Sequence, residues 1–117
     1  MKFLSYRVAG VPSWGLLRGD GIVDLGQEAQ DLRAFIAAGC PDAEELARRP
    51  VSHALDEVVL EPVIPNPSKI VMAAINYFEP DSDPANAPEY PVLFLRLPAS
   101  QIGHGAPLLR PLSSDRR

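Results

Sequence analysis

The stretch Phe3-Leu4-Ser5-Tyr6-Arg7-Val8-Ala9-Gly10-Val11-Pro12-Ser13-Trp14-Gly15-Leu16-Leu17-Arg18-Gly19-Asp20-Gly21-Ile22-Val23-Asp24-Leu25 decides the fold. From Lys2 to Val8 the side chains alternate, with Phe3 and Ser5 on one face and Leu4 and Tyr6 on the other, the period-two pattern of a short strand. Gly10 and Pro12 supply a turn, and Ser13 to Leu17 reads as a second strand. Gly19-Asp20-Gly21 is a tight hairpin turn that leads into a third strand, Ile22 to Leu25. Short strands joined by such turns make an antiparallel meander. Trp14 is its expected anchor, because a lone tryptophan in a strand is more often packing than ligand binding.

Working outward, Leu32, Phe35 and Ile36 fall three and four apart, which predicts a helix over Asp31 to Ala38 that Gly39 ends. Asp42 is placed to cap a second helix, Ala43 to about Arg49, with Glu44 and Glu45 in the first turn where the macrodipole favours acidic groups. Cys40 is the only cysteine. It follows a helix and precedes Pro41, so it reads as a half-buried small residue, and the chain has neither a disulfide nor a thiolate cage for zinc. His53 sits in a short polar connection and is expected to be solvated. Val58-Val59-Leu60 resumes strand character. Glu61-Pro62-Val63-Ile64-Pro65-Asn66-Pro67 cannot be helix and reads as extended. These features place an N-terminal domain over 1–61 and a linker over 62–68.

Of the 13 prolines, all but Pro12, Pro41 and Pro50 lie beyond residue 60, which excludes long helices there. Lys69 to Ile75 is the most apolar run and reads as a buried strand. Pro91 to Arg96 reads as a second buried strand, Leu97 to Gly105 as a loop or single helical turn, and Pro107 to Pro111 as a third extended piece. Leu112 to Arg117 is a polar tail. The fold class is α+β: a small meander with two helices, then further strands.

Hydrophobic residues make up 46% of the chain and charged residues 22%, the composition of a globular protein. The formal net charge of -4 argues against a nucleic-acid partner. Arg48-Arg49 and Arg116-Arg117 are too short to track a phosphate backbone. No apolar run approaches the ~18 residues of a membrane span. The first residues lack the apolar core of a signal peptide. A cytoplasmic location without membrane contact is therefore expected.

The order of features in the second half carries further information. Pro65-Asn66-Pro67 precedes Lys69-Ile70, and the apolar strand ends in Asn76-Tyr77. A polar loop and then Glu89-Tyr90-Pro91-Val92-Leu93-Phe94 follow, with Ser100-Gln101-Ile102-Gly103-His104-Gly105 beyond. This order resembles the entry to the catalytic domain of the fumarylacetoacetate hydrolase family. There Pro-x-Pro-x-Lys-Ile, Gly-x-Asn-Tyr-x-x-His-x-x-Glu, Pro-x-x-Phe-x-Lys/Arg and Ser-x-x-Gly-x-Gly succeed one another. The hairpins around Ser13-Trp14-Gly15 and Gly19-Asp20-Gly21 resemble the accessory domain that precedes this core in many bacterial members.

The resemblance implies that 69–117 begins a β-roll. In the family this roll holds Mg²⁺ or Mn²⁺ through a Glu-x-Glu pair and a later Asp, and the cation polarises a 2-oxo acid. It implies a metal-dependent hydrolase or lyase that cleaves acylpyruvates, decarboxylates oxaloacetate or isomerises products of aromatic-ring cleavage. It also implies substrate contacts for Tyr77 and Arg96, with packing and a surface ion pair as the alternatives.

Three departures bear on activity. The glycine position is Ala74, the histidine position falls near Pro80, and the glutamate position falls near Asp83. No Glu-x-Glu pair occurs, so the chain is expected to stop before the metal-binding segment. Proline accepts no proton, and general acid–base help is typically worth ~10²–10⁴-fold. This chain alone is expected to bind no metal and to be inactive, with no catalytic residue intact. Glu79, Asp81 and Asp83 read as a solvated acidic loop, and His104 as a conformational or supporting residue. The expected partners are another copy of the chain or a full-length homologue. The alternatives are a non-catalytic interaction module and a truncated product without function.

Overall fold

The computed structural model describes residues 1–74, 81, 83, 85 and 88–113. The chain divides into two compact units, Met1–Asn66 with Gln101–Arg117, and Pro67–Ser100.

The first unit is built on five strands: β1 (Phe3–Val8), β2 (Val11–Arg18), β3 (Gly21–Asp24), β4 (His53–Ala54) and β5 (Val59–Leu60). They lie in the order β4-β3-β2-β1-β5, every neighbour antiparallel. With helices α1 (Leu32–Ala37) and α2 (Ala43–Leu46) this is an α+β arrangement.

The first turn is tighter than expected. Val8 pairs with Val11, so Ala9 and Gly10 alone make the connection, with φ of 48° and 82°. Positive φ at both central residues is the pattern of a type I′ turn, whose twist matches that of the flanking strands. Pro12 therefore belongs to β2, opposite Arg7. Its nitrogen points to the same side as the Trp14 carbonyl, which accepts from the amide of Leu25 at 2.9 Å. β3 does not extend as far as Pro12, so the missing N–H leaves no ladder bond unmade. The second hairpin turns at Gly19-Asp20, with φ of 61° at Gly19.

The register sets the faces. Phe3 lies opposite Leu16, Ser5 opposite Trp14, and Leu16 opposite Val23. The face that carries these residues packs on α1 and α2, with Trp14, Leu16, Val23, Leu25, Leu32, Phe35 and Leu46 in one buried cluster. Trp14 is its anchor as expected. Its ring lies 4.8 Å from that of Phe35, and its Nε1 donates to the Ala29 carbonyl at 3.1 Å. Tyr6 and Ile22, on the opposite face, are also fully buried.

α1 begins at Asp31, whose Oδ1 accepts from the Ala34 amide at 2.7 Å. It ends on Gly39 with φ of 84°. The Gly39 amide donates to Ile36 and the Cys40 amide to Phe35, the paired bonds of a Schellman motif. α2 is shorter than expected and differs at its start. Asp42 occupies the cap position in a left-handed conformation, φ 53°, and its side chain makes no capping bond. The sharp passage through Cys40-Pro41-Asp42 turns that carboxylate away from the helix amides. Cys40 is half-buried against the core.

Among the described residues the second unit contains one antiparallel pair, β6 (Ile70–Ala73) and β7 (Leu93–Arg96), in the register Val71–Leu95 and Met72–Phe94. These strands were expected to be buried. They are not: Val71, Met72, Leu93, Phe94 and Leu95 are all exposed. Among the described residues the sheet has two strands, and a two-stranded sheet buries little of either face by itself. A single 3₁₀ turn follows at Pro98–Ser100. The expected extended piece at Pro107 to Pro111 joins no sheet.

Candidate functional site

The first unit carries a cleft of about 470 Å³ above the β1–β2 ladder. That volume is within the ~300–1,000 Å³ of small-molecule sites. Its wall includes Ser13, Asp24, Gln27, Gln30, Asp31, Glu61 and Asn66.

The carboxylates here are already engaged. Oδ2 of Asp24 accepts from the Tyr6 phenol and from Ser13 Oγ, the latter at 2.7 Å, and Oδ1 accepts from the Gly26 amide at 3.0 Å. Burial alone would raise the Asp24 pKa. The bonds from Tyr6, Ser13 and Gly26, with His53 nearby, outweigh it and hold the carboxyl below its ordinary value. Tyr6 is shifted the other way: burial first, then the bond to Asp24, push the phenol well above its ordinary value.

Asp31 is also held low, by the Ala34 amide and then by Asn66, whose Nδ2 donates to Oδ2 at 2.7 Å. Glu61 pairs with Arg7 at 2.6 Å. A ligand in the cleft would be left chiefly the exposed carboxamides of Gln27 and Gln30.

What this wall does is fasten the chain leaving β5. Ser5 Oγ donates to the Val63 carbonyl at 2.8 Å, and Arg33 to the Asn66 carbonyl at 2.9 Å. Gln101 Nε2 donates to the Ile64 carbonyl at 3.3 Å. Gly103 sits so close to Leu60 that a Cβ there would collide with the Leu60 carbonyl. The segment expected as an extended linker is therefore clamped to the sheet as far as Asn66.

The residues singled out by resemblance are Tyr77, Pro80, Asp83, Arg96 and His104. Tyr77 and Pro80 lie outside the described residues. Asp83 is exposed, and its Oδ1 accepts from the Ala85 amide at 2.9 Å, a local loop bond. Arg96 is exposed on β7, its guanidinium carbon 5.9 Å from the centre of the Phe94 ring. His104 is exposed in a turn. Among the described residues no three His, Cys, Asp or Glu side chains come together as a metal site. Among the same residues no helix is long and apolar enough to cross a membrane.

The grouping of Tyr6, Ser13, Asp24 and His53 was not foreseen. His53 is in β4 opposite Ile22, with its ring 5.9 Å from that of Tyr6, and is not a free loop residue. The signal was available in principle, because an Ala9-Gly10 turn places Tyr6 directly across from Ser13.

The chain matches no protein-family model, no curated protein and no solved structure.

Proposed function

We propose that this chain is a fumarylacetoacetate hydrolase-type accessory domain continued into the first strands of the catalytic roll. On its own it acts as a protein-binding module and not as a catalyst. One observation carries the reading: the two segments that hold the resemblance, Lys69-Ile70 onward and Pro91 to Arg96, pair as β6 and β7 and present apolar side chains to solvent. A strand pair of this kind suits the edge of a larger sheet. The partner class is another copy of the chain or a homologue that itself carries the metal-binding carboxylates and the 2-oxo acid site.

The residues that would move protons support the second half of the proposal. The only histidines are His53, engaged in the first unit, and His104. The position that the resemblance assigns to the catalytic histidine falls near Pro80, which has no proton to exchange.

The test is an assay of the purified chain with Mg²⁺ or Mn²⁺ against oxaloacetate and an acylpyruvate. Turnover at the free-metal background is expected. Metal-dependent turnover well above it contradicts the proposal, because the chain would then be an enzyme by itself.

A further inference from the structure

β5 is an edge of the five-stranded sheet, and its outer side is not left bare. The Glu61 amide donates to the Ser5 carbonyl at 2.9 Å, within the antiparallel register Tyr6–Leu60. That bond marks Tyr6 and Leu60 as a non-hydrogen-bonded pair, so the N–H and C=O of Leu60 point away from β1, off the edge. Gly103 lies against the Leu60 carbonyl there. A Cβ at Gly103 would collide with that carbonyl and crowd the Glu61 α-carbon. Gly103 is not in a left-handed conformation, so close approach, and not backbone freedom, is what calls for glycine. The segment is tied just before this contact, where Gln101 Nε2 donates to the Ile64 carbonyl at 3.3 Å. It turns away just after it, where the Ala106 amide donates to the Gly103 carbonyl at 3.2 Å with Gly105 at a φ of 77°.

We propose that residues 101–103 are an edge guard: by occupying the outer side of Leu60 they keep β5 from pairing with β5 of a second copy of this chain. An open edge presents amide and carbonyl groups as a template for another strand. With the guard lifted, β5 is its own complement. Antiparallel pairing centred on Leu60 joins the outward N–H and C=O of both copies about a two-fold axis. The same register sets Val59 opposite Glu61, so like charges do not face one another directly.

The test is chemical cross-linking at the β5 edge. Val59 is 69% exposed and adjoins Leu60, and Val59→Cys in a Cys40→Ser background gives one thiol per chain for a short bismaleimide. This parent is compared at equal concentration with added Gly103→Val, Gln101→Ala or His104→Ala, with Trp14 emission reporting that the first unit is folded. The parent should give little linked dimer, and so should His104→Ala, which changes an exposed turn residue. Gly103→Val cannot keep its place on Leu60 and should raise the yield at least roughly tenfold, with Gln101→Ala raising it less. If Gly103→Val does not fold, Gln101→Ala decides alone. A parent already linked to the level of its variants would overturn the guard, as would folded variants at both positions that link no more than the parent. This readout is separate from association through β6–β7. Parent chains that sediment as dimers yet stay unlinked at Val59 support the guard. A monomeric parent with a linked Gly103→Val also supports it, while contradicting self-association through the second unit.

Discussion

The phenol of Tyr6 donates to Oδ2 of Asp24 across the buried face of the sheet, and the same oxygen takes the hydroxyl of Ser13. β1, β2 and β3 each contribute one member of this group. The Ser52 hydroxyl accepts from the Asp24 amide at 3.2 Å and brings the start of β4 to the same place. Three strands of the first unit therefore meet at one carboxylate, and the segment entering β4 is tied to the backbone of the same residue.

That arrangement predicts a two-sided pH dependence. Asp24 holds its proton less tightly folded than unfolded, so its contribution is complete above the ordinary carboxylate pKa of ~3.9 and is lost as pH falls through the lower folded value. Tyr6 holds its proton more tightly folded, so its contribution is complete below about 10 and is lost as pH rises toward the higher folded value. Thermal midpoints should be level from about pH 5 to 9 and fall on both sides. Asp24→Asn should flatten the acid limb, apart from the share carried by Asp31, and Tyr6→Phe should remove the alkaline one. Tyr6→Phe should also cost ~1.5–3 kcal/mol near neutrality, as a hydrogen bond to a charged group is lost. An acid limb unchanged in Asp24→Asn would contradict the assignment.

The Ala9-Gly10 turn offers a gain in place of a loss. Ala9 is held at a φ of 48°, which disfavours a side chain with no local hydrogen bond to offer. Ala9→Asn creates the Asn-Gly pair that type I′ turns prefer, and should stabilise the first unit by ~0.5–1 kcal/mol. Denaturant midpoints read the change. A loss of stability would mean that the strands are joined by a longer turn.

The two helix starts should respond differently. Asp31→Ala removes a capping bond and should cost ~1 kcal/mol, measurable in a urea melt followed by Trp14 emission. Asp42→Gly removes no capping bond and relieves a left-handed side chain, so it should be neutral or slightly stabilising. Equal losses at both positions would contradict the cap assignment.

Much of the first unit was legible because hairpin chemistry and alternation are local. Gly19-Asp20, the stripe Leu32–Phe35–Ile36 and the stop at Gly39 each act over a few residues. The Trp14 core followed from them. The first turn was misplaced because Pro12 is a common turn residue, and its place in β2 is tolerated only where β3 has already ended. That is a tertiary fact. The same shift hid the pairing of Tyr6 with Ser13. His53 was read as solvated because β4 is two residues long, and nothing within so short a run announces a strand. Burial of β6 and β7 was inferred from apolar content, and apolar content cannot say whether a covering layer is present. The clamp at Ser5, Asp31 and Asn66 was illegible because its partners lie 35 and 58 residues apart in the chain.

The most direct test of the central claim, a self-sufficient first unit joined to a strand pair completed by association, is residue-resolved hydrogen exchange over a concentration series. The Leu17 and Leu25 amides, bonded to Lys2 and Trp14 in the first unit, should be slow at every concentration. The Ala74 amide, which donates to Val92 beside β6 and β7, should be fast in dilute samples and slow as concentration rises. Equally slow exchange at all three amides in the most dilute sample would contradict the account.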